Sequence, residues 1–191
     1  MESPIRTKQW TRAEYDRLIE TGVFQPGDAV ELLGGELVVA EPQNEAHYTA
    51  VGLVEDALKD AFGPGWLIRS QGPLALDDTS EPEPDIAVAP GARRDYGRAH
   101  PARPVLVVEV SVSSLALDRG HKGSLYARAR LEDYWILNLM DRVLEVYRQP
   151  AVDASAPFGW SYASQQTLGS DAFIAPLAAP HASVAVAALL P

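Results

Sequence analysis

Apolar positions along this chain switch between two periods. Over 44–62, His47, Val51, Val54, Leu58 and Phe62 recur at helical spacing, with Asn44 as a capping side chain and Gly63 as the stop. That spacing predicts a helix with one apolar face. Thr11-Arg-Ala-Glu14 has the form of a capping box, so a shorter helix is expected from there to about Glu20, closed by Gly22. Leu117, Leu125 and Tyr126 mark the inward side of a third helix, over 117–130. Ser183 is placed to cap a short terminal helix over 184–190.

The strands follow other cues. Stretches 29–33 and 36–40 flank Gly34-Gly35, a two-residue hairpin signal. Runs 66–69 and 72–76 read as two strands or one bent strand, and 86–89 and 105–110 as core strands. Stretches 133–139 and 142–147 suggest a hairpin around Met140-Asp141, and 159–168 a further strand pair. The segments 77–84 and 150–157 contain prolines and read as loops, and 91–104 is a polar connector. A helix between the strands at 105–110 and 133–139 suggests a βαβ crossover. The expected fold is mixed α/β (α+β), with helices around a central sheet.

Composition narrows the function. With 191 residues the chain is most simply a single domain over 1–191, and 47% apolar with 22% charged residues is ordinary for a soluble protein. It has no cysteine, which removes disulfides, zinc–thiolate sites and thiol nucleophiles. A net charge of −10 argues against a broad basic surface for nucleic acid, though a local basic groove is compatible with it. The start, Met1-Glu-Ser-Pro-Ile-Arg6, lacks the apolar stretch of a signal peptide, and no apolar run reaches membrane-span length. The expected location is the cytoplasm, with no membrane partner.

Against this background one side chain is out of place. Pro104-Val-Leu-Val-Val-Glu109-Val-Ser111 is apolar on both faces except for Glu109. A buried carboxylate is costly unless paired, protonated or bound to a metal. Upstream, Pro84-Asp85-Ile-Ala-Val-Ala89 starts another strand with an acid, so the two strands suggest one acidic pocket. Two such acids can hold Mg²⁺, which prefers oxygen ligands and keeps several waters. Asp85 alone reads equally as a turn residue bonding its own backbone. Lys122 is the nearest downstream cation. Its spacing from Asp118 also fits an ordinary surface ion pair at i,i+4.

Taken in order, Glu81-Pro-Glu-Pro-Asp85-Ile-Ala-Val88, Val107-Val-Glu109-Val-Ser111, Asp118-Arg-Gly-His-Lys122, Tyr126-Ala-Arg-Ala129 and Glu132-Asp-Tyr-Trp135-Ile136 resemble the Uma-two family of restriction-endonuclease-like proteins. That family belongs to the PD-(D/E)xK nuclease superfamily. Val30-Glu31-Leu-Leu-Gly-Gly35 and His47 also match its pattern, and the likeness runs from about Thr11 to Arg148. The resemblance implies a restriction-endonuclease-like mixed central β-sheet flanked by helices, and metal-dependent cleavage of phosphodiesters.

Residue by residue, Asp85 matches the motif aspartate and Glu109 the motif acid. Ser111 stands where the simple pattern has lysine, and Lys122 on the following helix takes that place. Asp85 and Glu109, aided by the Val110 carbonyl, are then the expected ligands of Mg²⁺ or Mn²⁺. Lys122 would position or activate the attacking water. Glu31 matches an early acid and is a third candidate for the catalytic set, or simply a strand residue beside a hairpin. His47 and Gln71 are candidate substrate contacts; a half-buried histidine and a strand-edge amide are their ordinary readings. Arg93, Arg94, Arg98 and Arg103 form a dense basic cluster suited to a phosphate backbone or just to solvent. Tyr134 and Trp135 read as core.

The expected activity is therefore an endonuclease acting on nucleic acid, DNA ahead of RNA, and working as a homodimer that matches the two-fold symmetry of a duplex. The alternative is a catalytically silent nuclease-like module that binds a protein or nucleic acid. Candidate pairing surfaces are the apolar tail over 184–190 and the Trp160/Tyr162 segment, both of which also read as core.

Overall fold

A computed structural model describes residues 7–25, 27–39 and 43–191. The first six residues, and Ala40 at the end of the second expected strand, lie outside the described residues. The centre is a six-stranded mixed sheet in the order β3-β4-β5-β6-β7-β8: Trp66–Ser70, Ile86–Pro90, Leu106–Ser111, Asp133–Asn138, Val143–Val152 and Trp160–Leu168. Only β5 and β6 run parallel; the other neighbours are antiparallel. The chain passes from β5 to β6 over a helical segment, as the crossover pattern requires.

Alternation along the central strands assigns the two faces. Ile86, Val88, Val108, Val110, Trp135 and Leu137 bury against helix α2, Glu45–Phe62, and the C-terminal segment. Ala87, Val107, Tyr134 and Ile136 bury on the other face, against Tyr126 and Ala127 of the crossover helix. Asp85 and Glu109 share this second face by parity. The β4–β5 register pairs Ile86 with Val108 and Ala87 with Val107. Continued by one residue, it sets Asp85 opposite Glu109. The two acids therefore meet because of strand register, although 24 positions separate them in the chain.

The helix ends follow their caps. Helix α1, Arg12–Glu20, opens with the capping box: the Glu14 N–H donates to Thr11 and the Thr11 N–H donates to the Glu14 carboxylate. Helix α2 opens with the His47 N–H on the Asn44 side chain at 3.0 Å and ends at Gly63. The hairpin β1–β2, Val30–Leu33 and Glu36–Val39, turns on Gly34 and Gly35, whose φ values of 59° and 88° suit a primed turn. It is anchored by the Tyr15 hydroxyl, which donates to the Val30 carbonyl at 2.6 Å, and by the Glu81 N–H, which donates to the Leu32 carbonyl at 2.7 Å.

Several expectations differ from the fold. Residues 72–76 form no sheet strand; Pro73 has no N–H, Gln71 takes a left-handed φ of 46°, and the segment bonds back to the 80–82 loop through Leu74 and Leu76. The helix expected over 117–130 is three pieces: α3, Leu115–Leu117; a π turn, Asp118–Lys122; and α4, Gly123–Arg128. The Gly123 N–H closes onto the Asp118 carbonyl, five residues back, and a Cβ at Gly123 would crowd that carbonyl at 3.2 Å.

Strand β7 continues to Val152, into the stretch read as a loop. Pro150 lies past the end of the β6 pairing, which stops at Arg148, and stands opposite Tyr162 of β8. Residues 160–168 form one strand, not a pair. The tail is a short strand, Val184–Ala185, and a 3₁₀ turn, Val186–Leu189, in place of a capped α-helix. Val184, Val186, Leu189 and Leu190 are all buried in the core. Among the described residues, no helix is long and apolar enough to cross a membrane.

Candidate functional site

A cleft of about 400 Å³ opens at the carboxyl end of β5, the position where parallel strands usually present ligand-binding groups. Glu31, His47, Gln71, Asp85, Glu109, Val110 and Lys122 all line it. Arg93 and Arg94 do not: they begin a 3₁₀ turn after β4, at the end of that strand away from Asp85.

Three carboxylates and one ammonium form the floor. The Lys122 ammonium stands 3.2 Å from Glu31 Oε1 and 3.2 Å from Glu109 Oε1. All three side chains are buried, as is Asp85. The Val110 N–H donates to Asp85 Oδ2 at 2.8 Å, and the His47 ring nitrogen Nε2 lies 3.1 Å from the same oxygen. The Glu83 N–H donates to the other oxygen of Glu31 at 3.0 Å. The Gln71 side chain donates to Gln43 at the cleft wall. The second ring nitrogen of His47, Nδ1, is buried with no hydrogen-bond partner.

Sequence spacing offered Asp118 as an ion-pair partner of Lys122 at the surface. The fold buries both, gives Lys122 to Glu31 and Glu109, and holds Asp118 with the Ser114 hydroxyl at 2.6 Å. Asp118 also lines the cleft. Tyr126 is inward, as its spacing predicts, and its hydroxyl donates to Glu109 Oε1 at 2.8 Å. The signal for both was the spacing Asp118, Lys122, Tyr126, which puts three polar-capable groups on one side of a helix. Tyr134 and Trp135 are core, as expected.

Burial and charge oppose each other here. Burial pushes the Glu109 carboxyl up to about 8, with Lys122 pulling it down and Asp118, Asp85 and Glu31 adding to the rise. Burial likewise raises Asp118. For Lys122, burial favours the neutral amine, but the charges of Glu109 and Glu31 outweigh it and hold the ammonium above its usual range. Burial raises Glu83, and Glu31 adds to it. Five acids thus crowd one lysine, an arrangement short of positive charge.

The donor set suits a hard cation of modest protein coordination. Asp85 and Glu109 both line the cleft and could offer carboxylate oxygens to such an ion. Among the described residues no three Asp, Glu, His or Cys side chains are arranged to enclose a metal. Two carboxylates with the remaining positions left to water is how Mg²⁺ is ordinarily held.

The sequence profile of the Uma2 family, described as "putative restriction endonuclease", matches residues 12–187. The chain belongs to the Uma2 family. The crystal structure of a "putative nuclease belonging to DUF820" from Anabaena variabilis has the same fold, with a TM-score of 0.68 and 14% sequence identity over 94% of this chain and 97% of that one. No curated protein matches the chain. The Uma2 match spans the hairpin, both β4 and β5, the π turn and α4, so every element that builds the cleft lies inside it.

Proposed function

We propose that this Uma2 protein is a Mg²⁺- or Mn²⁺-dependent endonuclease that hydrolyses phosphodiesters of nucleic acid, with DNA the expected substrate. One observation carries the reading. Asp85, Glu109 and Lys122 come from three separate elements and meet in one cleft at the end of β5. Bound by Asp85, Glu109 and the Val110 carbonyl, a divalent ion would polarise a phosphoryl oxygen and lower the pKa of a bound water. Asp85 is pre-set for this role by the Val110 N–H and His47, which fix the orientation of its carboxylate.

Lys122 is held as an ammonium by its acidic neighbours, so it serves as a fixed positive charge and not as a base. It would offset the charge that develops on the phosphoryl oxygens when water attacks phosphorus in line. The ester P–O bond opposite the water would break, leaving a phosphate on one strand end and, once the departing oxygen takes a proton from water, a hydroxyl on the other. Glu31 keeps Lys122 in place from the far side. His47 and Gln71 line the cleft where the substrate backbone would pass. A two-fold homodimer would present two such clefts to the two strands of a duplex.

The test is cleavage of plasmid, single-stranded DNA and RNA with Mg²⁺ and with Mn²⁺, run beside Asp85→Asn and Lys122→Met. Cleavage by the wild type that both substitutions abolish supports the reading. A net charge of −10 and a lysine already saturated by carboxylates favour a second reading, a silent nuclease-like binding module. Wild-type protein that stays inert on every substrate and shows no metal-induced melting shift would decide for that module.

A further inference from the structure

We propose that Tyr126 is a positioning residue of this site: together with the Lys122 ammonium it occupies Oε1 of Glu109, so that Oε2 is the oxygen presented beside Asp85 to a divalent cation. This rests on the reading of the cleft as a cation site and assigns the oxygen that does the binding.

The two oxygens of Glu109 have different surroundings. Oε1 receives the Tyr126 hydroxyl at 2.8 Å and lies 3.2 Å from the Lys122 ammonium. Among the described residues, Oε2 is met by a long approach of 3.4 Å from the Asp85 backbone N–H. The oxygen nearer to Asp85 is thus the one left with spare acceptor capacity. Both groups on Oε1, the hydroxyl that donates and the ammonium that pairs, come from a single stretch of helix, with Lys122 closing the π turn and Tyr126 four residues on in α4. Residues four apart share a helix face, so one element aims both groups at one atom.

Tyr126 is built to hold this contact. It is 0% exposed, and its ring packs on Tyr134 at 5.0 Å between centroids; Tyr134 in turn packs on Tyr147 and Tyr162. A ring wedged into that row has little freedom to swing its hydroxyl away. The ring alone would fill the core; the O–H serves Glu109. A free glutamate could turn either oxygen to a cation, and a fixed donor on one of them removes that choice. Hydrogen-bond partners of metal ligands act in this way elsewhere, and losing one typically weakens metal binding 10- to 100-fold.

The experiment is calorimetric titration of Mn²⁺ into wild type, Tyr126→Phe and Tyr162→Phe, with melting of the metal-free proteins as the check on folding. Tyr162 belongs to the same aromatic row, but its hydroxyl donates to the Leu131 carbonyl at 2.9 Å, away from the acids. Expected is a loss of Mn²⁺ affinity of about 10- to 100-fold for Tyr126→Phe alone, with Tyr162→Phe binding as the wild type does. In cleavage assays Tyr126→Phe should lower kcat at nearly unchanged KM. Equal affinity for Tyr126→Phe and wild type overturns this assignment and leaves the cation site standing, and so does an equal loss in Tyr162→Phe. A wild type that binds no Mn²⁺ overturns both. A Mn²⁺-soaked crystal of the wild type gives the same answer without a substitution: anomalous density about 2.1 Å from Oε2 supports it, and density on Oε1 overturns it.

Discussion

Asp133 and Glu109 are buried acids on adjacent parallel strands, at opposite ends of them. Asp133 begins β6 and is met from every side. The Arg148 guanidinium reaches its two oxygens at 2.8 and 3.3 Å, the Trp135 indole N–H donates at 2.8 Å, and the Leu177 N–H donates at 2.8 Å. One charge faces one charge, and the donors saturate the carboxylate. Glu109, near the end of β5, shares a single ammonium with Glu31 and has Asp85 and Asp118 close by. The first acid is a closed structural joint. The second stands in a cluster short of positive charge, open to a cleft, with its own carboxyl pushed up to about 8 by burial. Burial alone does not separate a structural acid from a functional one; the balance of charge around it does.

Four measurements would break or sharpen this contrast, taken from the largest effect to the smallest. Asp133→Ala leaves Arg148, the Trp135 indole and the Leu177 amide without their shared acceptor, and should cost about 3–5 kcal/mol in urea unfolding. That loss should be the same with and without Mg²⁺. Lys122→Met should reduce cleavage about 100- to 1000-fold, the scale of losing one group that stabilises transition-state charge, while gel-shift binding of DNA persists.

Glu109→Gln should behave opposite to Asp133→Ala. It keeps the shape and replaces an acid whose ionised form burial disfavours, so metal-free stability should stay within about 1 kcal/mol of wild type or rise. The melting shift induced by Mn²⁺ should vanish. A stability loss as large as that of Asp133→Ala would make Glu109 a structural acid and end the comparison.

The smallest effect belongs to an exposed acid. The Lys8 ammonium and the Thr11 groups hold the Glu14 carboxyl down at about 2, against an ordinary 4.5. A depressed carboxyl stabilises the fold above the ordinary value and loses that contribution as pH falls through the folded value. Glu14→Gln should therefore melt slightly below wild type at pH 7, and the two curves should merge near pH 2.

Much of this was legible before folding. The two long-range signals, helical spacing over 44–62 and the apolar strand around Glu109, gave the right elements because each is reinforced by its own caps or by burial on both faces. Asp85 and Glu109 stand out as acids beside apolar runs, Lys122 and Glu31 come from the family resemblance, and the fold brings all four to one cleft. The misses share a cause. Residues 72–76 have strand-like composition, but whether an extended segment joins a sheet depends on a free strand edge at its position. The π turn rests on Gly123 accommodating the Asp118 carbonyl, a contact with no periodic signature. The partners of Asp118 and Tyr126 depended on which way the crossover helix faced.

What the sequence determined by itself was local: caps, turns, the alternation that sorts side chains to two faces, and the misfit of a carboxylate in an apolar strand. Those follow from interactions within a few residues and from the family pattern. What only the tertiary structure decided was distance between remote groups and the balance of charge. The β4–β5 register set Asp85 opposite Glu109, the hairpin carried Glu31 to the far side of Lys122, and one helix face aimed a hydroxyl and an ammonium at a single oxygen. Electrostatic energy depends on separation and burial together, and neither is a property of any one stretch of chain.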